Sequence, residues 1–203
     1  MNTMAELQIN VSAVLPEIVL VAFALIVMIV GVLGNRREGE VRPVLTWITL
    51  AGIVTAGAAC VWLWGQGDIS FQGHAVSDRF SLSLRLIVLI AAFLAVLMSD
   101  RYMPTLNDEM DAYYALLLLC TAGMGLMGAA TDLIVLFVAL EVFSLALYIM
   151  TGLNRHNARS TEASMKYFLL GAFASAFFVY GAALLYGATG STQYDAIAAA
   201  LAD

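Results

Sequence analysis

The residue of this chain best suited to chemistry is Glu141, in the middle of an apolar segment from Thr131 to Met150. At about 1.5 Å per residue the segment forms a helix about 30 Å long, which matches the hydrocarbon core of a bilayer. An ionised carboxylate at the centre of a membrane span costs on the order of 3 kcal/mol, so such acids usually face protein or trapped water. Glu141 is therefore a candidate functional residue.

Two neighbours make the setting of Glu141 more polar. Ser144 and Tyr148 fall within about 60° of Glu141 around the helix, so the segment carries a narrow polar stripe that has room for a short chain of waters. The structural alternative is a buried carboxylic acid that stays neutral and donates its proton to a neighbouring helix.

Two cations also lie inside apolar segments. Lys166 follows Glu162 by four positions, so an intrahelical ion pair is the structural alternative to a functional lysine. Gly171 and Ser175 lie more than about 130° from Lys166 around the helix, which separates a small-residue packing face from the face of the cation. Arg85 lies near the start of its segment, so we expect its side chain to snorkel to the interface, with a charge relay as the second interpretation.

The cysteines and histidines do not form a metal-binding pattern. Cys60 and Cys120 lie in different apolar segments without CxxC spacing, as small core residues do. His74 and His156 lie in separate loops, where a solvated surface histidine is expected. The sequence therefore predicts neither a metal site nor a redox pair in this chain.

Three glycines, Gly123, Gly125 and Gly128, match the GxGxxG spacing of a dinucleotide-binding loop. That fingerprint requires a strand before the glycines, whereas these lie inside an apolar helix and instead predict close approach of another helix. Directly after this helix, Thr131 and Asp132 predict a tight turn into the Glu141 helix, with the hydroxyl as cap and the acid complementing the positive helix end.

The composition excludes several classes of protein. The 203 residues are 62% hydrophobic and 12% charged, which leaves too little polar surface for a soluble globule of this size. The net charge of −6, with only nine Lys and Arg residues, argues against a nucleic-acid partner. The lipid bilayer is the expected surrounding.

We predict an all-α integral membrane protein with a single polytopic domain over residues 1–203. Its six transmembrane helices are expected at about 14–34, 43–64, 80–98, 112–130, 131–150 and 160–187, and the fourth and fifth form an antiparallel hairpin. A small β-hairpin is predicted around Ile69 to Phe71, and the residues after 187 begin a further helical pattern.

The loops set the predicted orientation. Alternate loops carry most of the cations, with only Arg79 opposing them, so the positive-inside rule places both termini outside. The loop cations are Arg36, Arg37, Arg42, Arg101, Arg155 and Arg159. In this frame Glu141 lies about 15 Å from either face and Lys166 about 7 to 9 Å from the cytoplasmic face, so a direct salt bridge is marginal and a water-bridged connection is favoured.

Several stretches together resemble one family. DLIVLFVALEVFSLALYIMTG is similar to its fifth helix, STEASMKYFLLGAFASAFFVYGAALLYG to its sixth, and SDRFSLSLRLIVLIAAFLAVLMSDRYM to its third. The family is that of subunit N of NADH-quinone oxidoreductase (respiratory complex I), an antiporter-like subunit of the membrane arm.

The resemblance implies proton translocation coupled to quinone reduction, with Glu141 and Lys166 matching the family's helix-5 glutamate and helix-6 lysine. It implies a bacterial plasma-membrane location and other membrane-arm subunits, including sister antiporter-like subunits, as partners. NADH, FMN, iron–sulfur clusters and quinone are expected in other subunits, with no cofactor in this chain.

The chain differs from the family in length. Family members have about fourteen helices, so six helices correspond to the first part of that fold and do not complete a proton path between inverted repeats. Two alternatives stay open: a subunit of a related sodium/proton antiporter or membrane hydrogenase, and a structural or assembly role in the membrane arm without pumping.

Overall fold

The computed structural model describes residues 11–34, 41–66, 68–70, 73–99 and 110–202. After a 3-10 turn at Val11–Val14, the regular elements of these residues are α1 (Leu15–Leu33), α2 (Val41–Trp62), β1 (Asp68–Ser70), β2 (Ala75–Ser77), α3 (Arg79–Ser99), α4 (Met110–Ala129), α5 (Leu133–Thr151), α6 (Ala158–Thr189) and α7 (Tyr194–Ala202). Six helices, α1 to α6, are long and apolar enough to cross a membrane. The predicted all-α membrane fold is therefore confirmed.

A side-chain cap and a backbone cap set the two ends of α6. The Asn157 side chain accepts a hydrogen bond from the backbone N–H of Arg159 at 3.0 Å, which starts the helix two residues before the predicted position 160. At the other end Gly190 has φ 73°, the left-handed conformation that glycine adopts without strain, and its N–H donates to the Tyr186 carbonyl at 2.7 Å. The chain then resumes as α7.

Helix α4 lies at the centre of the bundle. It packs against α1, α2, α3 and α5, and its buried residues include Tyr114, Leu118 and Ala122. Its glycines suit this position, because small residues let several helices approach one backbone closely. The core therefore lies among α1 to α4.

Helices α5 and α6 extend the bundle to one side. Helix α5 packs against α4 on one face and α6 on the other, and α7 packs against α6. No residue of α6 is buried in this chain. The face of α6 that points away from α5 is thus open.

A β-hairpin is present where the sequence predicts one, although Phe71 lies outside the described residues. β1 and β2 are antiparallel, with Ile69 opposite Val76. A bridge between Ala75 and Ala130 joins the hairpin to the α4–α5 turn. The hairpin, the starts of α1, α3 and α5, and the ends of α4 and α6 form one membrane face, here called the hairpin face.

The predicted orientation stays a prediction. Arg36, Arg37 and Arg101 lie outside the described residues, as does the side chain of Arg42. With both termini outside, as the loop charges predict, the hairpin face is the outer face.

Candidate functional site

Glu141 lies half-buried on α5 at the contact between α5 and α6. The Ser175 hydroxyl of α6 donates a hydrogen bond to Oε1 of Glu141. Two aromatic contacts flank this bond along the antiparallel helices: Phe137 stacks on Phe178 with ring centroids 5.9 Å apart, and Tyr148 meets Tyr167 edge-to-face at 4.7 Å. The carboxylate is therefore held between two helices rather than facing lipid.

The predicted polar stripe faces the same contact. Ser144 and Tyr148 are both buried, and the hydroxyl of Tyr148 lies where a side chain on Gly171 would otherwise stand. The Ser164 hydroxyl of α6 donates to the Tyr148 carbonyl at 2.8 Å. The small-residue face of α6 that the sequence predicts therefore packs against α5, and it includes the hydrogen-bond donor to Glu141.

Lys166 lies on another side of α6. Its Nζ is 2.5 Å from Oε1 of Glu162, and the two side chains are 69% and 63% exposed. The predicted intrahelical ion pair is therefore present. Lys166 and Ser175 are nine positions apart, which is about 13.5 Å along the helix and half a turn around it. In this chain, then, the side chains of Glu141 and Lys166 are not brought together.

The glycines of α4 lie at close helix contacts and not at a nucleotide site. A Cβ on Gly123 would lie 2.7 Å from the backbone nitrogen of Phe143 and 3.0 Å from the carbonyl oxygen of Ala139, the α5 residues on either side of Glu141. A Cβ on Gly128 would meet Leu84 of α3 at 3.3 Å. Gly123 therefore sets how closely the Glu141 segment approaches α4.

Asp132 begins α5 and anchors it to two other segments. Its Oδ1 accepts hydrogen bonds from the N–H groups of Ile134, at 2.7 Å, and Val135, at 3.4 Å. Its Oδ2 accepts from the Thr192 hydroxyl at 2.6 Å and lies 3.0 Å from Nδ1 of His74. Burial alone would raise the pKa of Asp132, but the bonds from Thr192, Ile134, His74 and Val135 outweigh burial and lower that pKa below its ordinary value.

Two predictions made for this turn need correction. Asp132 is itself the helix cap, whereas the Thr131 hydroxyl donates at 2.5 Å to the Gly73 carbonyl of the hairpin loop. His74 is not a freely solvated histidine, because it pairs with the buried Asp132. Both differences arise because the hairpin folds back onto the α4–α5 turn.

The snorkelling predicted for Arg85 is wrong. Its side chain is only 1% exposed, and Nε lies 2.8 Å from Oε1 of Glu17 on α1. The guanidinium points towards the hairpin face, but protein rather than water surrounds it. An unpaired charge in such a position is costly, and the carboxylate of Glu17 compensates it.

Glu17 is the ionisable residue that sequence reasoning missed. The signal was an acid in the first turn of an otherwise apolar helix, near the same membrane face as Arg85 in α3. Opposite charges inside two spans at similar depth predict a pair, since neither is stable alone in hydrocarbon.

Comparison with known proteins identifies the class. The sequence model of the family described as NADH:quinone oxidoreductase/Mrp antiporter, TM, matches residues 130–202, which include Glu141 and Lys166. A solved structure, respiratory complex I from Thermus thermophilus with bound aureothin, matches 88% of this chain and 38% of the matched chain, with a TM-score of 0.72 and 31% identity. A membrane-bound sulfane sulfur reductase, an archaeal respiratory membrane complex, matches 90% of this chain and 39% of that chain, with a TM-score of 0.71 and 27% identity. The chain is therefore a multi-pass membrane protein of the antiporter-like class.

Curated relatives define the family more closely. NADH-quinone oxidoreductase subunit N of Trichlorobacter lovleyi is 43% identical over 190 residues, which cover 94% of this chain and 38% of the relative. NAD(P)H-quinone oxidoreductase subunit 2 of Thermosynechococcus vestitus is 37% identical over 196 residues, covering 96% and 38%. The chain belongs to the family of NADH-quinone oxidoreductase subunit N, and it spans about two fifths of the length of these relatives.

Proposed function

We propose that this chain is part of a proton-translocating membrane subunit of an NADH-quinone oxidoreductase, in which quinone reduction elsewhere in the complex drives protons across the membrane. The observation that carries the proposal is the carboxylate of Glu141 at the middle of a bilayer-length helix, held by the Ser175 hydroxyl. An acid with one neutral partner in this setting can exchange a proton when a neighbouring charge moves.

The surroundings of Glu141 fit a proton carrier better than a fixed structural acid. A fixed structural acid needs a partner for its neutral form only, whereas the Ser175 hydroxyl can donate to the ionised carboxylate and can also accept from the carboxylic acid. A hydrogen bond to the ionised form of a carboxylate is worth about 1.5–3 kcal/mol, which offsets much of the cost of the charge in the membrane. Glu141 can then be either ionised or protonated without a large cost in free energy.

Lys166 is the second proposed site. It lies on the open face of α6, paired with Glu162. Since the relatives are more than twice as long as this chain, we infer that further helices cover this face and bring Lys166 out of contact with lipid. Its charge then influences Glu141 through intervening groups rather than by direct contact.

The remaining assignments rest on the family. We propose a bacterial plasma-membrane location with the N-terminus outside, other membrane-arm subunits as partners, and NADH, FMN, iron–sulfur clusters and quinone held by other chains. The main alternative, a subunit of a related sodium/proton antiporter, has support from the mention of Mrp antiporters in the description of the matching family. Replacing sodium in the assay distinguishes the two, because a proton gradient that requires sodium supports the antiporter.

The direct test is Glu141→Gln in the intact subunit within its membrane complex. The substitution keeps the shape of the side chain and removes its proton. We expect the number of protons moved per NADH oxidised, measured in inverted membrane vesicles with a pH-sensitive dye, to fall at least twofold. Asp195→Asn in α7 is the matched control, because it also converts a carboxylate to a carboxamide, on an exposed side chain away from both proposed sites.

The outcomes separate the hypotheses. An unchanged proton-to-NADH ratio in Glu141→Gln contradicts the proton-carrier role and favours the structural one. For the second site, Lys166→Ala is compared with Glu162→Ala in the same assay. Equal effects of these two variants mean that the ion pair is all that the lysine supplies, whereas a loss confined to Lys166→Ala supports its proposed role.

A further inference from the structure

A second ionisable pair lies away from Glu141, between α1 and α3. We propose that Glu17 is a further proton-binding residue of this subunit, on the hairpin-face side of the bundle, and that Arg85 is the positioning residue that favours proton release from it. This inference rests on the proposed function, because it assigns Glu17 to the same translocated protons.

Arg85 is fixed independently of Glu17. Its Nη2 donates to the carbonyl of Ala13 at 2.9 Å, and its Nη1 donates to the hydroxyl of Ser77 at 3.4 Å. These neutral acceptors come from the 3-10 turn and from β2. The guanidinium therefore keeps two hydrogen bonds when the charge of Glu17 changes.

Glu17 contacts Arg85 through only one of its two carboxylate oxygens. Oε1 of Glu17 lies 2.8 Å from Nε of Arg85, but Nε makes no hydrogen bond of good geometry, and Oε2 of Glu17 is buried without a partner. A bidentate pair would use both oxygens and lock the carboxylate. Here Oε2 is available to take up a proton and form a neutral carboxyl group, and the positive charge of Arg85 favours its return to the ionised form.

Helix α4 lies between Glu17 and the helix that carries Glu141. A Cβ on Gly125 would lie 2.9 Å from Oε1 of Glu17, whereas Gly123 contacts the α5 backbone on either side of Glu141. Two positions along a helix are about 3 Å apart in depth and about 200° apart in direction, so Glu17 and α5 contact different sides of α4. Glu17 lies nearer the hairpin face than Glu141, whose side chain points from α5 towards α6.

The two charges are far enough apart that their interaction is weak but not absent. Across the widths of two helices, about 20 Å, with an effective dielectric constant of about 20, a unit charge changes a protonation equilibrium about fourfold. A change of charge at Glu141 therefore shifts the protonation of Glu17 modestly.

The competing role is a structural clamp, in which the pair only joins α1, α3 and the hairpin. Glu17→Gln alone does not separate the two roles, because it leaves the charge of Arg85 buried and unpaired. The double variant Glu17→Gln/Arg85→Met removes both charges and restores neutrality without restoring a proton-binding group. The double variant therefore separates the effect of losing the proton-binding group from the effect of leaving a buried charge unpaired.

The experiment measures assembled complex and protons moved per NADH oxidised for the single and the double variant. We expect both to lower the ratio at least twofold, with the double variant assembling at least as well as the single one. A normal ratio in Glu17→Gln, or recovery of the ratio in the double variant, would overturn the proposal. Failure of the double variant to assemble would overturn it in favour of the clamp.

Glu141→Gln is measured in parallel. If Glu141→Gln pumps normally, the proposed function fails, whatever Glu17 does. If Glu141→Gln is impaired and the Glu17 variants pump normally, only the role of Glu17 fails.

Discussion

Gly123 is the position at which a single methyl group tests the arrangement around Glu141. In Gly123→Ala the new Cβ lies 2.7 Å from the nitrogen of Phe143 and 3.0 Å from the oxygen of Ala139. Both atoms belong to the backbone of α5, so no side chain can simply rotate away. Helix α5 must retreat by about 0.7 Å before the closest contact becomes an ordinary van der Waals distance.

The loss of folding stability in Gly123→Ala can be estimated from this geometry. Overpacking of this kind costs about 1–3 kcal/mol. Gly123→Ala should be at the upper end of this range, because the new Cβ meets backbone atoms of α5, which cannot move aside easily. Alanine recovers about 1 kcal/mol through its higher helix propensity, so we expect a net loss of about 2 kcal/mol. For a subunit as long as the relatives, more than twice the length of this chain, that loss lowers the midpoint of thermal unfolding by roughly 2–4 °C.

The matched control is Gly57→Ala in α2, where a Cβ meets no atom within 4 Å. We expect this variant to be as stable as the wild type or more stable by up to about 1 kcal/mol. Thermal unfolding of the full-length protein in detergent, followed by circular dichroism, compares the two. Equal midpoints for Gly123→Ala and Gly57→Ala would refute the close α4–α5 contact.

Three other predictions concern α5. Asp132→Ala removes the helix cap and two side-chain bonds, so we expect a loss of about 2–3 kcal/mol in denaturant unfolding, and a smaller loss for Asp132→Asn, which can still cap. Because folding lowers the pKa of Asp132 from its ordinary value near 3.8, its stabilisation is present above that pH and is lost as the pH falls through the folded-state pKa. The same unfolding measured from neutral to acidic pH should show a steeper decline for wild type than for Asp132→Asn, and parallel curves would contradict this. Gly171→Ala places a methyl group on the Tyr148 hydroxyl and should cost about 1–3 kcal/mol, of which Tyr148→Phe recovers part in a double-mutant cycle.

The fold was largely predictable because its signal is local. Each span is a run of apolar residues long enough for the bilayer, and the glycines of α4 predict close helix contacts from their size alone. The face of α6 that carries Gly171 and Ser175 follows from the 3.6-residue period. Glu141 is conspicuous for the same reason, as a charge in the middle of an apolar run.

The contacts that the sequence did not reveal join residues far apart in the chain. Glu17 and Arg85 are separated in the chain by α2 and the β-hairpin. His74 and Thr192 contact Asp132 from 58 and 60 positions away. No local pattern fixes which loop folds onto which turn. Arg85 looked like a snorkelling residue because its distance from the helix start is visible in the sequence, whereas its partner on α1 is not.

The most direct test of the central claim is whether Glu141 changes its protonation state during turnover. Infrared difference spectra of the membrane complex, recorded between the resting and the NADH-driven states, detect protonation of single carboxyl groups through their C=O stretching band. We expect a band in the wild type that is absent in Glu141→Gln and retained in Asp195→Asn. Identical spectra for the wild type and Glu141→Gln would contradict a change of protonation at Glu141.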